Sequence, residues 1–249
     1  MRSNFLWILI LGLISACENG DSSSSDAVGQ GGSLTRFAIK NNYLYVVGNS
    51  TIQVFEINQS EFKKINDVPV SFGLETIFAK GEYLYLGASD AMYIYSISKP
   101  ATPEFIFRYT HIFACDPVVV QGTTAYVTLR STGGACRQGI NALEIINITD
   151  PYNPVLIANY PMKSPGGLGI DGSCLFVCEG DYGFSMLDVS NPASISVLKE
   201  IKDVKAYDVI ARQGMLTLTG DDGIFQYTYD CQKKTVQLIS KIPVQRAEL

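Results

Sequence analysis

The sequence predicts an all-β fold, a β-propeller of about five four-stranded blades preceded by a signal peptide and a flexible tether. Three observations lead to this prediction. A short segment recurs five times, hydrophobic and polar residues alternate with a period of two inside the copies, and β-branched and aromatic residues are plentiful. The copies begin at Asn41, Gly81, Gly122, Gly172 and Gln213, at spacings of 40, 41, 50 and 41 residues.

Each copy has the same predicted order of elements: an apolar strand, a tight polar turn, an alternating strand, a loop, a third strand, a second turn and a fourth strand. In the first copy the strands are Phe37–Ile39, Tyr43–Val47, Ile52–Ile57 and Phe62–Val68. Four short antiparallel strands form the unit of a propeller blade, and closing the blades into a ring protects the sheet edges. A β-sandwich or an open array of sheets is the alternative that the pattern leaves open.

Residues 1–16 are predicted to be a lipoprotein signal peptide. Arg2 provides a positive start, and the apolar run Phe5–Ile14 is too short to cross a hydrocarbon core of ~30 Å. The small residues Ser15 and Ala16 then precede Cys17, an arrangement that resembles the bacterial lipobox. We therefore expect Cys17 to be lipidated after cleavage. An ordinary secretory signal with an incidental cysteine is the alternative.

Residues 17–33 are predicted to form the lipidated cysteine and a disordered tether, and residues 34–249 the propeller. The tether carries almost no apolar side chains, so it cannot bury enough surface to fold. The anchor makes the membrane one partner, because two or more acyl chains hold a protein there stably. We expect a location in the cell envelope, at the outer membrane, with the domain facing the periplasm or the cell exterior.

The charge balance argues against nucleic acid as a partner. The chain carries 24 Asp and Glu against 19 Lys and Arg, and its formal net charge is −5. A surface that holds a phosphate backbone needs a surplus of basic residues. We therefore expect no nucleic-acid binding.

A turn motif after the third strand recurs in three copies, within Tyr95–Pro103, Leu143–Ile157 and Met186–Pro192. Ser, Asp or Asn starts the turn, and a proline ends the strand because it has no N–H to donate. The motif resembles the LVIVD-repeat family, secreted or lipid-anchored β-propellers common in Bacteroidetes-type bacteria. The resemblance implies the fold and the envelope address, and it implies no activity. The first and fifth copies depart from the motif, since Asn58–Ser60 and Asp230–Gln232 contain no proline.

The strand order sorts the connections into two faces. The turns after the first and third strands share one face, and the loops after the second and fourth strands share the other. The second face holds the nine extra residues of the third copy, so we expect binding there. The candidate binding face comprises Asp116, Arg130, Arg137, Glu179, Asp181, Asp208, Asp221 and Asp222. The alternative is that its Asp-Gly and Glu-Gly pairs form turns that simply face water.

Five of the six cysteines lie in the predicted propeller, and the envelope permits disulfides. Cys115 and Cys136 map to the same face of the same copy, so they are the first predicted bridge. Cys174 and Cys178 lie four residues apart on one strand, about 13 Å, which is too far to pair. Cys174 and Cys231 could pair between neighbouring blades, which would leave Cys178 free or buried.

The sequence favours a binding role over catalysis. His111 is the only histidine and no CxxC pair exists, which argues against a catalytic triad and against zinc. We expect a non-enzymatic binding or scaffold module for another envelope protein or polymer, without a cofactor. The alternatives are a glycan- or cation-binding propeller that uses the acidic loops, with Ca²⁺ as the cation, and a hydrolase or lyase that uses carboxylates.

Overall fold

The computed structural model describes residues 31–59, 61–110, 117–131 and 140–244. These residues form twenty strands in five four-stranded sheets, and they contain no helix. Nothing in this part of the chain is a helix long and apolar enough to cross a membrane. The predicted all-β architecture of five four-stranded blades is confirmed.

Each blade contains four consecutive strands of the chain. Blade 1 consists of β1 (Phe37–Lys40), β2 (Tyr43–Val47), β3 (Thr51–Ile57) and β4 (Phe62–Pro69). Blade 2 consists of β5 (Leu74–Lys80), β6 (Tyr83–Ala88), β7 (Ala91–Ser96) and β8 (Glu104–Thr110). Blade 3 consists of β9 (Val118–Gln121), β10 (Thr124–Leu129), β11 (Ala142–Asn147) and β12 (Val155–Pro161). Blade 4 consists of β13 (Leu168–Asp171), β14 (Cys174–Cys178), β15 (Phe184–Asp188) and β16 (Ser196–Ile201). Blade 5 consists of β17 (Ala206–Arg212), β18 (Met215–Gly220), β19 (Gly223–Asp230) and β20 (Thr235–Pro243).

The strands of every blade pair antiparallel in chain order, so the two ends of the propeller carry different connections. We call the end with the turns between the first and second strands the turn face. The other end, with the loops between the second and third strands and between blades, is the loop face. The first residue of each turn on the turn face has a left-handed backbone: Asn41, Gly81, Gly122, Gly172 and Gln213. Gly and Asn tolerate that conformation best, which explains why four of the five repeats begin with them.

Consecutive blades pack face to face through apolar side chains. Between blades 1 and 2, for example, Tyr45 and Ile52 meet Leu84 and Leu86, and all four side chains are fully buried. Similar clusters join blade 2 to 3, blade 3 to 4 and blade 4 to 5. Each fully buried side chain of this size stabilises the fold by about 1.5–3 kcal/mol. Within the described ranges, no cluster of buried apolar residues joins blade 5 to blade 1.

Blades 1 and 5 are instead linked by the chain just before β1. The hydroxyl of Ser33 donates to Asp208 at 3.1 Å and accepts the backbone N–H of Leu168 at 2.7 Å. Gly32 lies so close to Asp208 that a Cβ atom there would come within 2.0 Å of its carboxylate oxygen. Because Ser33 is buried, the folded region includes at least one residue of the predicted tether, which was expected to extend to that position.

Candidate functional site

Three acids of the predicted binding face, the exposed Asp181 and Asp222 and the partly buried Asp221, are paired with lysines. Asp181 and Asp221 both approach the Nζ atom of Lys205, at 2.8 and 3.7 Å. Asp222 lies 3.8 Å from the Nζ atom of Lys241. Asp116 and Arg137 lie outside the described residues. These acids on the loop face therefore lie around two lysines, with Asp181 and Asp221 sharing Lys205 and Asp222 next to Lys241.

Two largely buried acids of the predicted face, Glu179 and Asp208, accept hydrogen bonds within the fold. Glu179 accepts the backbone N–H of Lys163 at 2.9 Å and the hydroxyl of Ser185 at 3.1 Å. Asp208 is largely buried, and burial raises the pKa of its carboxyl against the opposing effect of its hydrogen bonds. The Nε atom of Arg130 is buried and has no hydrogen-bond partner.

The described part of the chain offers no group of three His, Cys, Asp or Glu that could hold a metal ion, so the Ca²⁺ prediction finds no site there. His111 falls outside that part. The alternative of a cation site on the loop face thus has no support from the described acids.

The described cysteines comprise one bonded pair and one free thiol. Cys174 and Cys231 form a disulfide between blades 4 and 5, with their Cα atoms 6.1 Å apart, so the pairing that the sequence left open is made. Cys178 is free and buried, and burial raises the pKa of its thiol well above the ordinary value. Cys17, Cys115 and Cys136 lie outside the described residues, so the lipidation and the first predicted bridge remain predictions.

A cavity of about 600 Å³ opens at the centre of the turn face. All five innermost strands contribute to it, and each supplies its last residue: Lys40, Lys80, Gln121, Asp171 and Arg212. These five residues hold equivalent positions, because each pairs with the first residue of the following strand. Phe78, Val120, Ile170 and Ala211 provide the apolar part of the wall.

Positive charge dominates the rim of this cavity. Three of the five ring residues are cations, and Asp171 is the single carboxylate among them. Asp171 accepts hydrogen bonds from the Tyr229 hydroxyl and, at 3.4 Å, from the backbone N–H of Gly214. Its charge is therefore partly engaged by blade 5. The turn face thus presents a basic opening on a chain whose net charge is negative.

Blade 1 has an uncovered apolar face, which we call the blade-1 face. Phe37, Ile39, Leu44, Val46 and Phe62 line a shallow apolar groove on it. Phe37 is 52% exposed and Phe62 is 62% exposed.

The equivalent face of blade 2 is covered. Forty residues further along the chain, Ile77, Leu84 and Leu86 hold the same register positions as Phe37, Leu44 and Val46. All three are buried against blade 1. Among the residues that the structure describes, the blade-1 face is thus an inter-blade packing surface that no other blade covers.

The free face of blade 5 is more polar than the corresponding face of blade 4. Blade 4 packs Cys174, Phe176, Cys178 and Met186 against blade 5. By register, blade 5 carries Met215, Thr217, Thr219 and Gln226 at these positions. A polar outer surface is typical of a terminal repeat that ends an array. It is a poor match for the apolar blade-1 face.

The sequence contains patterns that indicate both surfaces, but a prediction based on loop length does not use them. Aligning the copies on their turns places Lys40, Lys80 and Arg212 at one position, which marks a basic ring. The same alignment shows threonines in blade 5 where blade 4 has Phe176 and Cys178. The packed structure was needed to show that these strand ends line one cavity and that no other described blade covers the blade-1 face.

Residues 75–111 and 167–203 match the model of the family described as the LVIVD repeat. The chain contains two LVIVD repeats. They coincide with blades 2 and 4, and they include the motifs at Tyr95–Pro103 and Met186–Pro192. No curated protein matches the sequence.

Solved structures share the architecture at low sequence identity. A functionally unknown protein from Desulfotomaculum acetoxidans has a TM-score of 0.70 and 11% identity, over 82% of this chain and 67% of that one. The periplasmic gluconolactonase of Pseudomonas aeruginosa has a TM-score of 0.61 and 13% identity, over 82% and 68%. A protein from Lactobacillus plantarum has a TM-score of 0.60 and 13% identity, over 81% and 68%. At these identities the likeness concerns the fold alone.

Proposed function

We propose that this protein is a lipid-anchored envelope lipoprotein, of Bacteroidetes type, whose LVIVD-repeat propeller is a non-enzymatic binding module for another envelope protein. The signal peptide and Cys17 would hold it at the outer membrane. The blade-1 face is the observation that carries the proposal. Phe37 and Phe62 lie exposed there, and Leu44 and Val46 are only partly buried, in a fold that buries the corresponding positions of the next blade.

The chemistry of the blade-1 face specifies the partner. The five apolar side chains of the groove come from β1, β2 and β4, and the groove contains one charged residue, Arg36. Contiguous exposed apolar patches are typical of protein interaction sites. The surface that it matches is an uncharged, apolar face of a β-sheet, because that is what covers the equivalent face in blade 2. We therefore propose a partner protein that docks such a sheet face against blade 1.

A comparison of matched variants of the full-length, lipid-anchored protein tests this. Val46→Lys together with Phe37→Ser places a charge in the groove and removes an aromatic ring. Tyr152→Lys together with Val155→Lys changes two exposed apolar residues of blade 3 and serves as the control. Cross-linking in intact cells should capture a partner with the wild type and the control, and lose it with the blade-1 variant.

The purified partner should then bind the wild-type protein, and this binding should slow amide hydrogen exchange in residues 37–46 of the wild-type protein. Equal capture by both variants, or protection elsewhere, would remove the blade-1 face from the proposal. Dimerisation of the purified protein that the blade-1 variant abolishes would identify a second copy as the occupant, against the proposed partner.

Hydrolysis is the competing function, because a gluconolactonase shares the architecture. The purified protein should not accelerate the hydrolysis of gluconolactone above the rate with a heat-denatured sample. Turnover that is lost on changing Asp181 or Asp222 to Asn would contradict the non-enzymatic role and favour carboxylate chemistry.

A further inference from the structure

We propose that the cavity on the turn face binds a small organic molecule through a compact, doubly charged anionic group, with phosphate monoesters as the chemical class. This site lies at the opposite end of the propeller from the predicted binding face, and it is separate from the blade-1 face. The inference therefore stands independently of the proposed protein partner.

The shape of the cavity suits a small ligand. A volume of about 600 Å³ lies within the usual range of small-molecule sites, which is about 300–1,000 Å³. All five blades converge on it, so the walls belong to the rigid inner strands of the sheets. Phe78, Val120 and Ile170 would contact the organic body of the ligand, while the charged side chains stand at the strand ends.

The charge of the ring selects an anion. Lys40, Lys80 and Arg212 bring three positive charges to equivalent positions around one opening. Neither Lys80 nor Arg212 has an ion-pair partner in the described ranges, in contrast to Lys205 and Lys241 on the loop face. Gln121 adds an amide, although its Nε2 atom already donates to the backbone oxygen of Gly172.

Lys80 and Arg212 are the two ring cations left for a ligand, because the carboxylate of Asp171 is already held by Tyr229 and Gly214. A phosphate monoester carries close to two negative charges above its second pKa near 6. The ammonium group of Lys80 and the guanidinium of Arg212 match these two charges, and the guanidinium can bind two phosphate oxygens at once.

Calorimetric titration of the intact protein with inorganic phosphate and with glycerol phosphate tests the site. Both should bind saturably at pH 7.5 and low ionic strength, and glycerol alone should not bind. Lys80→Gln together with Arg212→Gln should weaken both affinities at least tenfold. Lys63→Gln together with Lys199→Gln removes the same charge from exposed outer strands and should leave the affinities within twofold.

The Asp171→Asn variant should change the affinity for phosphate in the opposite direction. It removes the one negative charge of the ring, so phosphate should bind more tightly to it, and circular dichroism would check that the fold is retained. The proposal is overturned if phosphate does not bind, if glycerol binds equally well, or if both double variants weaken phosphate binding alike. Weaker binding of phosphate to a folded Asp171→Asn protein would also contradict it.

Discussion

The Oγ atom of Ser33 donates a hydrogen bond of 3.1 Å to Oδ1 of Asp208, although 175 residues separate the two in the chain. The same hydroxyl accepts the backbone N–H of Leu168. One buried side chain thus ties the beginning of the folded region to blades 4 and 5. This polar link stands where the other blade junctions have an apolar cluster, and its loss should be measurable.

Ser33→Ala should lower the free energy of unfolding by about 1–3 kcal/mol, because it leaves the buried N–H of Leu168 without its acceptor. Urea unfolding measures the change. Ser240→Ala is the matched control, since Ser240 makes a comparable hydrogen bond to Gln226 but is exposed. Equal losses in both variants would show that Ser33 has no special role in joining the blades.

Asp208 should make stability depend on pH in the direction opposite to a salt-bridged carboxylate. Burial raises the pKa of Asp208 in the folded state. The folded protein therefore binds this proton more tightly than the unfolded chain, where the pKa is about 3.9. The resulting stabilisation is fully present below the unfolded pKa and is lost as the pH rises through the raised folded value.

Comparing the wild type with Asp208→Asn isolates this contribution from the other carboxylates. As the pH rises from 3 to 7, the wild type should lose stability relative to the variant. Urea titrations at several pH values measure the difference. A difference that stays constant with pH would mean that Asp208 keeps an ordinary pKa in the fold.

Leu84 in blade 2 and Leu44 in blade 1 hold equivalent positions, so they compare a covered blade face with the blade-1 face. Leu84 is fully buried between blades 1 and 2, whereas Leu44 lies half-buried in the groove of the blade-1 face. Leu84→Ala should cost about 2–5 kcal/mol, because it removes apolar contacts and leaves a cavity. Leu44→Ala should cost less than half as much. Similar costs in the isolated protein, measured by urea unfolding, would indicate that another part of the chain covers the blade-1 face.

The disulfide between Cys174 and Cys231 should stabilise the fold by about 2–4 kcal/mol, since it closes a loop with a sequence separation of 57 residues. A Cys174→Ala and Cys231→Ala double variant should therefore unfold at lower urea concentration. Alkylation followed by peptide mapping checks the pairing. Under native, non-reducing conditions, Cys174, Cys178 and Cys231 should all resist iodoacetamide, the first and last because they are bonded.

Labelling after denaturation without reductant distinguishes the buried free thiol from the bonded cysteines. Cys178 should then react, because its protection comes from burial and a raised thiol pKa, while the bonded pair should stay unlabelled. Labelling of Cys231 before reduction would contradict the disulfide.

The repeating pattern of the sequence was sufficient to predict the number of blades, the strand order and the turns. Strand alternation and the left-handed turn positions at Asn41, Gly81 and Gly172 depend on neighbours within a few residues, so they can be recognised in the sequence itself. The proline turns likewise indicated the LVIVD repeats, which the family match confirms for blades 2 and 4.

Other features were decided by how distant segments pack. Whether Cys174 reaches Cys231, and whether Ser33 reaches Asp208, depends on the placement of whole blades. The basic ring forms because five strand ends from separate repeats converge on one axis. Leu44 and Leu84 have the same residue type, the same repeat position and different burial, because a preceding blade covers only Leu84. Local sequence determines what each blade is, and the tertiary arrangement determines which of its surfaces remain available for binding.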